Sequence, residues 1–170
     1  MKKQVARPYK QIISMAKSNV QFTKDNEYYS PKEFVDRFGT FDYDPATTKE
    51  KADEFEIPNY DTIETDGLVQ DWTKYNRIWI NPPFTRKHEF MKKAWETYQL
   101  AKNEIYILFP IEFLTTARFS NSVGGGKLFI PNGRINFESG LGKQGKSPAF
   151  GSVVMRIQDT WEIEFIEKTI

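Results

Sequence analysis

The chain has no cysteine and a single histidine, His88, among its 170 residues. Without cysteine there is no disulfide framework, no thiolate nucleophile and no Cys-ligated zinc or iron–sulfur site. The same absence fits a reducing compartment. One histidine excludes a multi-histidine metal centre and any mechanism that needs two imidazoles. Long hydrophobic runs are missing too: nothing approaches the about 20 apolar residues that span a bilayer. The apolar stretch 11–15 behind Lys2 and Lys3 is too short for a secretory signal. We therefore expect a soluble, intracellular, cytoplasmic protein with no membrane and no metal.

Net charge is close to absent, +1 from 24 basic and 23 acidic side chains, but it is unevenly spread. Lys2, Lys3, Arg7, Lys10 and Lys17 make the first twenty residues basic with no acid among them. The stretch 42–71 turns acidic, and basic residues return at Arg118, Lys127, Arg134, Lys143 and Lys146. A near-neutral total hides such faces, which suit a polyanionic partner as readily as plain solvation. The length suits one domain, able to bury about 70% of its unfolded surface without a staple. The boundaries expected are a basic arm or docked helix over 1–27 and one domain over 28–170. There is no repeat and no low-complexity segment.

Ser30-Pro31 has the form of a helix start, Ser as N-cap and Pro in the first turn, with Glu33 completing a box-like pattern. That helix should run to Phe38 and stop at Gly39. Residues 40–43 read as a short strand ending at Asp44-Pro45, 46–55 as helical, and 77–80 as a strong strand broken by Asn81-Pro82-Pro83. Residues 86–102 carry Phe90, Ala94, Tyr98 and Ala101 at helical spacing, and 104–109 form a buried-strand pattern ending at Pro110. Beyond this, 128–130, 134–137, 150–157 and 161–166 read as strands between Gly- and Pro-rich turns. Strand–helix alternation followed by strands alone implies an α/β fold, a mostly parallel sheet with antiparallel C-terminal strands. Ligands of open α/β sheets sit beyond the carboxyl ends of the strands, where Asp44-Pro45, Asn81-Pro82-Pro83 and Pro110 fall.

Two prolines directly after a strand stiffen the chain and stop the ladder. Such a turn presents Asn81 and an extended proline pair at a fixed place. An exocyclic amine on an aromatic base is a poor nucleophile because its lone pair is delocalised. Two acceptors on its hydrogens would pull the nitrogen toward tetrahedral geometry. The amide oxygen of Asn81 and the carbonyl of Pro82 can be those acceptors. Pro83 is a rigid spacer, and Phe84 offers a face for the base, worth about 1–3 kcal/mol. Neither metal nor covalent intermediate is needed.

The segment Asn81-Pro82-Pro83-Phe84 matches the Asp/Asn/Ser-Pro-Pro-Tyr/Phe motif of amino-methyltransferases, in the form usual for adenine-N6 enzymes. Residues 26–157 resemble the phage-type, Dam-like DNA N6-adenine methyltransferases. The landmarks run in order: Tyr29-Ser30-Pro31, then the stretch from Phe41 to Ala46, then Asp66-Gly67-Leu68 with Asp71-Trp72, then the tetrapeptide. Gly133 to Phe137 and Pro148-Ala149-Phe150 resemble the family's C-terminal strands. The resemblance implies a Rossmann-like methyltransferase fold with S-adenosyl-L-methionine (AdoMet) as methyl donor, and a phage protein of the host cytoplasm. It marks Tyr29, Ser30, Pro31, Asp42, Asp44, Pro45, Asp66, Gly67, Leu68, Asp71 and Trp72 as cofactor segments. Asp42 or Asp44 can accept from the cofactor's hydroxyls or ammonium, and Ser30 at a helix N-terminus can donate to its carboxylate. Asp66 and Asp71 also admit a reading as helix or turn caps. The Gly-x-Gly loop of many AdoMet enzymes is missing, replaced by Pro45-Ala46-Thr47-Thr48-Lys49, a departure the phage-type relatives share.

A target base in a duplex must be flipped out, or be single-stranded, to reach such a turn. Arg86 and Lys87 beside the tetrapeptide are candidates for the flanking phosphates. The glycine-rich stretches 115–127 and 139–147 read as mobile loops that carry Arg118, Lys127, Lys143 and Lys146 along a phosphate backbone, with Arg134 between them. There is no room for a separate recognition domain, so a short or relaxed target sequence is expected. RNA adenine, cytosine N4 or protein glutamine would be served by the same acceptors, and a non-catalytic binding protein would keep the fold without AdoMet.

Overall fold

The computed structural model describes residues 28–139 and 150–168; the expected arm over 1–27, and Lys143 and Lys146, lie outside them. In chain order the strands are β1 (Tyr28–Tyr29), β2 (Tyr43–Asp44), β3 (Asn59–Tyr60), β4 (Arg77–Ile80), β5 (Glu104–Pro110), β6 (Gly126–Pro131), β7 (Glu138–Ser139), β8 (Ser152–Ile157) and β9 (Trp161–Ile166). The α-helices are α1 (Lys32–Val35), α2 (Lys49–Glu54), α3 (Lys87–Ala101) and α4 (Ala117–Ser120). None of the described helices is long and apolar enough to cross a membrane.

Seven strands form one sheet in the order β3-β2-β4-β5-β8-β6-β9, while β1 and β7 pair apart from it. Strands β3, β2, β4 and β5 are parallel. Strand β8 runs against both β5 and β6, and β9 returns parallel to β6. The expected mostly parallel sheet with antiparallel pairing toward the C-terminus is what forms. Both faces are covered, so the central strands are apolar at nearly every position. Ile78, Ile80, Ile105, Ile107, Val153 and Met155 face α3 through Phe90, Met91 and Ala94. Trp79, Tyr106, Leu108 and Val154 face the other way, onto Phe34, Val35, Phe41, Ile135 and Phe137.

Three sequence expectations change. The Ser30-Pro31 start is displaced: Pro31 is the residue before the helix, and its carbonyl takes the N–H groups of Phe34 and Val35. The helix holds as α for one turn, then tightens to a 3₁₀ turn over Asp36–Phe38 before Gly39, whose φ of 94° stops it. Residues 134–137 make no ladder among the described residues. Their alternation is real, with Ile135 and Phe137 buried and Arg134 and Asn136 exposed, but they lie across a sheet face as a cover. The glycine triplet, expected within a mobile loop, is closely packed. A three-residue link carries the chain from β8 to β9 past the start of β6, about two strand spacings. A Cβ on Gly125 would stand 2.5 Å from the Gln158 carbonyl oxygen, and one on Gly126 2.5 Å from the Met155 sulfur. Close crossing, rather than motion, requires these glycines.

Candidate active site

Strand β4 is fully buried from Ile78 to Ile80 and ends because Pro82 and Pro83 supply no N–H for further pairing. Asn81 is held at that end by its own amide: Nδ2 donates to Ser30 Oγ at 3.2 Å, and Ser30 is 2% exposed. This explains the displaced helix start, because the Ser30 hydroxyl serves Asn81 rather than the helix. The carbonyls that follow are in different states. Pro83 O accepts from Arg86 N at 2.9 Å, and Phe84 O accepts from Lys87 Nζ at 2.8 Å. Pro82 O accepts no hydrogen bond among the described residues. The half-buried Phe84 ring meets Phe150 edge to face, centroids 5.0 Å apart.

One strand over, Asp44 ends β2 and is 2% exposed. Its Oδ1 accepts a single hydrogen bond, from Ala46 N at 2.9 Å. Burial, reinforced by the Asp61 carboxylate, pushes its pKa up to about 7. Asp61 accepts from the buried Tyr43 hydroxyl at 2.5 Å. Nothing in the residue pattern singled out Asp61; only the β2–β3 pairing brings it here. Gly67 sits directly on this turn, since a Cβ there would lie 2.0 Å from the Pro45 carbonyl oxygen. Asp66 precedes it with φ of 52° and caps Leu68 N at 3.2 Å. Leu68 O in turn receives Lys93 Nζ at 2.8 Å. The segments around Asp44-Pro45 and Asp66-Gly67-Leu68 are thus one cradle, without a Gly-x-Gly loop. Tyr29, beside Ser30, carries Lys51 Nζ 5.2 Å over its ring.

Three of the sequence candidates lie elsewhere. Asp42 is at the opposite, amino end of the strands, where its carboxylate accepts Asn76 N at 2.9 Å and Arg77 N at 2.7 Å. Asp71 is an exposed turn cap, accepting from the backbone and hydroxyl of Thr73, and these bonds hold its carboxyl below the usual range. Trp72 is a core residue, 1% exposed and stacked on Phe90. No cofactor face is open on it. Its contribution is indirect, through Nε1, which donates to Gly67 O at 2.7 Å. Composition alone could not separate a Trp beneath a cradle from one lining it.

Of the basic candidates, Arg86 pairs with Glu89. Lys87 and Arg118 share a cavity of about 280 Å³ beyond the end of β5. Arg134 follows the carboxyl end of β6 and is exposed. Lys127 is not at this edge. It lies level with Arg156 and hence with Tyr106, low on the sheet, and is paired with Glu164 at 2.6 Å.

A buried acid and an amide-bearing, proline-stiffened turn at the carboxyl ends of adjacent parallel strands define an α/β protein of the methyltransferase class. The chain belongs to the DNA N-6-adenine-methyltransferase (Dam) family, whose model matches residues 17–168. It is 28% identical over 145 residues to the DNA N-6-adenine-methyltransferase of Escherichia phage T1, a match covering 75% of this chain and 59% of the phage protein. The chain therefore spans little more than half the length of that relative. Among solved structures, a predicted O-methyltransferase of Agrobacterium tumefaciens aligns with TM-score 0.36 and 14% identity, over 75% of this chain and 66% of that one.

Proposed function

We propose that the chain transfers a methyl group from AdoMet to the N6 amine of adenine in DNA. The observation that carries this reading is the pair of acceptors past β4. The Asn81 amide is oriented by Ser30, and beside it stands the Pro82 carbonyl, uncommitted among the described residues. Together these groups accept from the two N6 hydrogens, while Phe84, backed by Phe150, gives the flipped base its stacking face. Pro83 keeps the spacing rigid. Catalysis here is positioning of a weak nucleophile, and no general base is required at Asn81.

The cradle fits the cofactor by the chemistry of its groups. Asp44 is a buried acid with one hydrogen bond, suited to a hydroxyl or ammonium donor. Gly67 keeps the chain close to Pro45, where a side chain would not fit. Bound AdoMet supplies the electrophilic methyl group. Pro31 and Tyr29 flank Ser30 and close this side. The basic residues Arg86, Lys87, Arg118 and Arg134 serve the DNA backbone, with Lys143, Lys146 and the basic segment 1–27 as further contacts. Residues 28–170 act as one catalytic unit in the cytoplasm.

The test is methyl transfer from labelled AdoMet to unmethylated duplex DNA, with nucleoside analysis of the digest. N6-methyladenine that disappears in Asn81→Ala is the expected result. N4-methylcytosine, or label on RNA or protein alone, overturns the substrate. Absence of both product and AdoMet binding overturns the enzymatic reading.

A further inference from the structure

The cavity beyond β5 holds a group the acceptor chemistry does not use. Its walls come from the start of α3, the 3₁₀ turn Ile111–Thr115 and α4. At about 280 Å³ it falls below the about 300 Å³ at which drug-sized sites begin, and suits one small polar group with its water. Three cation-forming side chains line it: Lys87, His88 and Arg118. Lys87 Nζ bonds the Phe84 carbonyl, which leaves two of its three donors, and lies 5.1 Å over the Phe113 ring. Among the described residues no carboxylate pairs with Arg118. The one acid in the lining, Glu112, is exposed, as is Arg118, and makes no ion pair among them.

Like charges therefore crowd a partly buried space. Burial, then Arg118, holds Lys87 below its ordinary pKa. Burial, then Arg118, does the same to His88; Glu89 pulls it back up, while Lys87 and Arg86 add to the depression. Such a cluster is repulsive when empty and becomes favourable once an anion enters. Lys87 ties the cavity to the tetrapeptide directly, through Phe84.

We propose that this cavity, formed by Lys87, His88 and Arg118, is the seat of one DNA phosphodiester beside the target nucleotide, and that His88 takes up a proton when it is filled. The proposal rests on DNA being the substrate. The anion fixes the strand while the adenine lies on Phe84, so register along the backbone is set at a cavity instead of on a flat basic surface. His88 is neutral in the free protein near neutral pH because its pKa is lowered. A phosphate placed against it favours the imidazolium. Affinity for DNA then rises as pH falls toward His88's lowered free-state value.

The test is fluorescence anisotropy of a labelled random-sequence duplex with the whole protein and no cofactor, across a salt series at about pH 8 and about pH 6. Wild type should bind several-fold tighter at the lower pH, and His88→Gln should lose that gain. Arg118→Gln should bind about tenfold weaker and reduce the slope of log affinity against log salt by about one. Free inorganic phosphate, at matched ionic strength, should compete with DNA in wild type and not in Arg118→Gln. Unchanged slope and unchanged pH response in both variants, with wild-type melting temperatures, overturn the phosphate seat. Wild type that does not bind the duplex overturns the seat and the DNA reading together. Wild type that binds the duplex but makes no methyladenine leaves the seat standing and overturns only the reaction.

Discussion

The two ends of the parallel strands treat their acids in opposite ways. At the amino end, Asp42 accepts two backbone N–H groups, and Arg77 bonds Glu104 and the carbonyls of Thr40 and Phe38. Asn103 donates there to the carbonyls of Trp72 and Tyr75. The charges of Asp42, Arg77 and Glu104 are thus partnered, as a structural edge favours, while Asn103 Oδ1 has no partner among the described residues. At the carboxyl end, the Asp44 carboxylate is more deeply buried yet, among the described residues, accepts one hydrogen bond and Pro82 O none, and Asp66 has a left-handed backbone. A buried acid with acceptor capacity to spare marks the carboxyl edge as the one that awaits a ligand. Left-handed backbone does not separate the edges, since Lys102 before β5 has it too; the under-satisfied buried acid does, as expected at a functional site.

The largest effect is expected where the edges are joined. Trp72 lies in the core between them, and its indole N–H holds the Gly67 carbonyl of the cradle. Trp72→Ala should cost about 3–5 kcal/mol in urea unfolding. AdoMet affinity should fall in the fraction that remains folded. A loss under about 1 kcal/mol would mean that the core closes without the ring and that the cradle is held elsewhere.

A reciprocal pair comes next. Asn81→Ala should lower the methylation rate by at least about 100-fold, on the scale of removing one aimed polar group from a transition state. Its melting temperature should stay near that of wild type. Asp42→Ala should do the reverse, losing about 2–4 kcal/mol of stability by orphaning two N–H groups, with kcat retained while folded. Equal loss of rate in both would erase the distinction between the edges.

The edge contrast also explains what the sequence made legible. Strand β4 and helix α3 follow from periodicity and the prolines, because their patterns answer to burial, whereas β9 follows from the alternation of Trp161, Ile163 and Phe165 although these stay exposed. The tetrapeptide was legible because two prolines after a strand have few structural uses. The Ser30–Asn81 contact was hidden, since a Ser before a Pro also satisfies the local rule for a helix cap. Asp42 and Asp44, on either side of Tyr43 in β2, are indistinguishable by composition. Their separation to opposite ends comes only from the register of Tyr43 with Ile78. The cavity around His88 was hidden for the same reason, since its walls come from segments more than twenty residues apart in the chain.

A smaller and pH-dependent effect is expected at Asp44. Its carboxyl has an ordinary value near 3.8 and is held at about 7 when folded. The folded state thus keeps a proton that the unfolded state releases, so stability is greatest below the lower value and declines as pH rises through the higher one. Asp44→Asn should remove that decline and melt higher than wild type above about pH 7. The same substitution should weaken AdoMet, whose donors favour the ionised acid. Wild-type affinity for AdoMet should rise through about pH 7 and the variant's should not. If melting temperatures of the two run parallel across this range, the buried acid is not the titrating group.

The smallest effect is expected at Lys127, where the comparison is sharpest because a basic residue is predicted to matter little. Its charge is answered by Glu164 across the β6–β9 pair, at 2.6 Å, and its ammonium lies 5.2 Å over the Phe129 ring. It belongs to the lower part of the sheet, away from the tetrapeptide. Lys127→Gln should therefore cost no more than about 1 kcal/mol, the range of partly exposed ion pairs. It should also leave the salt slope of DNA binding unchanged, whereas Arg118→Gln reduces it. The two residues carry the same formal charge, and only their place on the sheet differs. A Lys127 variant that lowers the slope as much as Arg118→Gln would show that DNA follows the breadth of the sheet rather than its carboxyl edge.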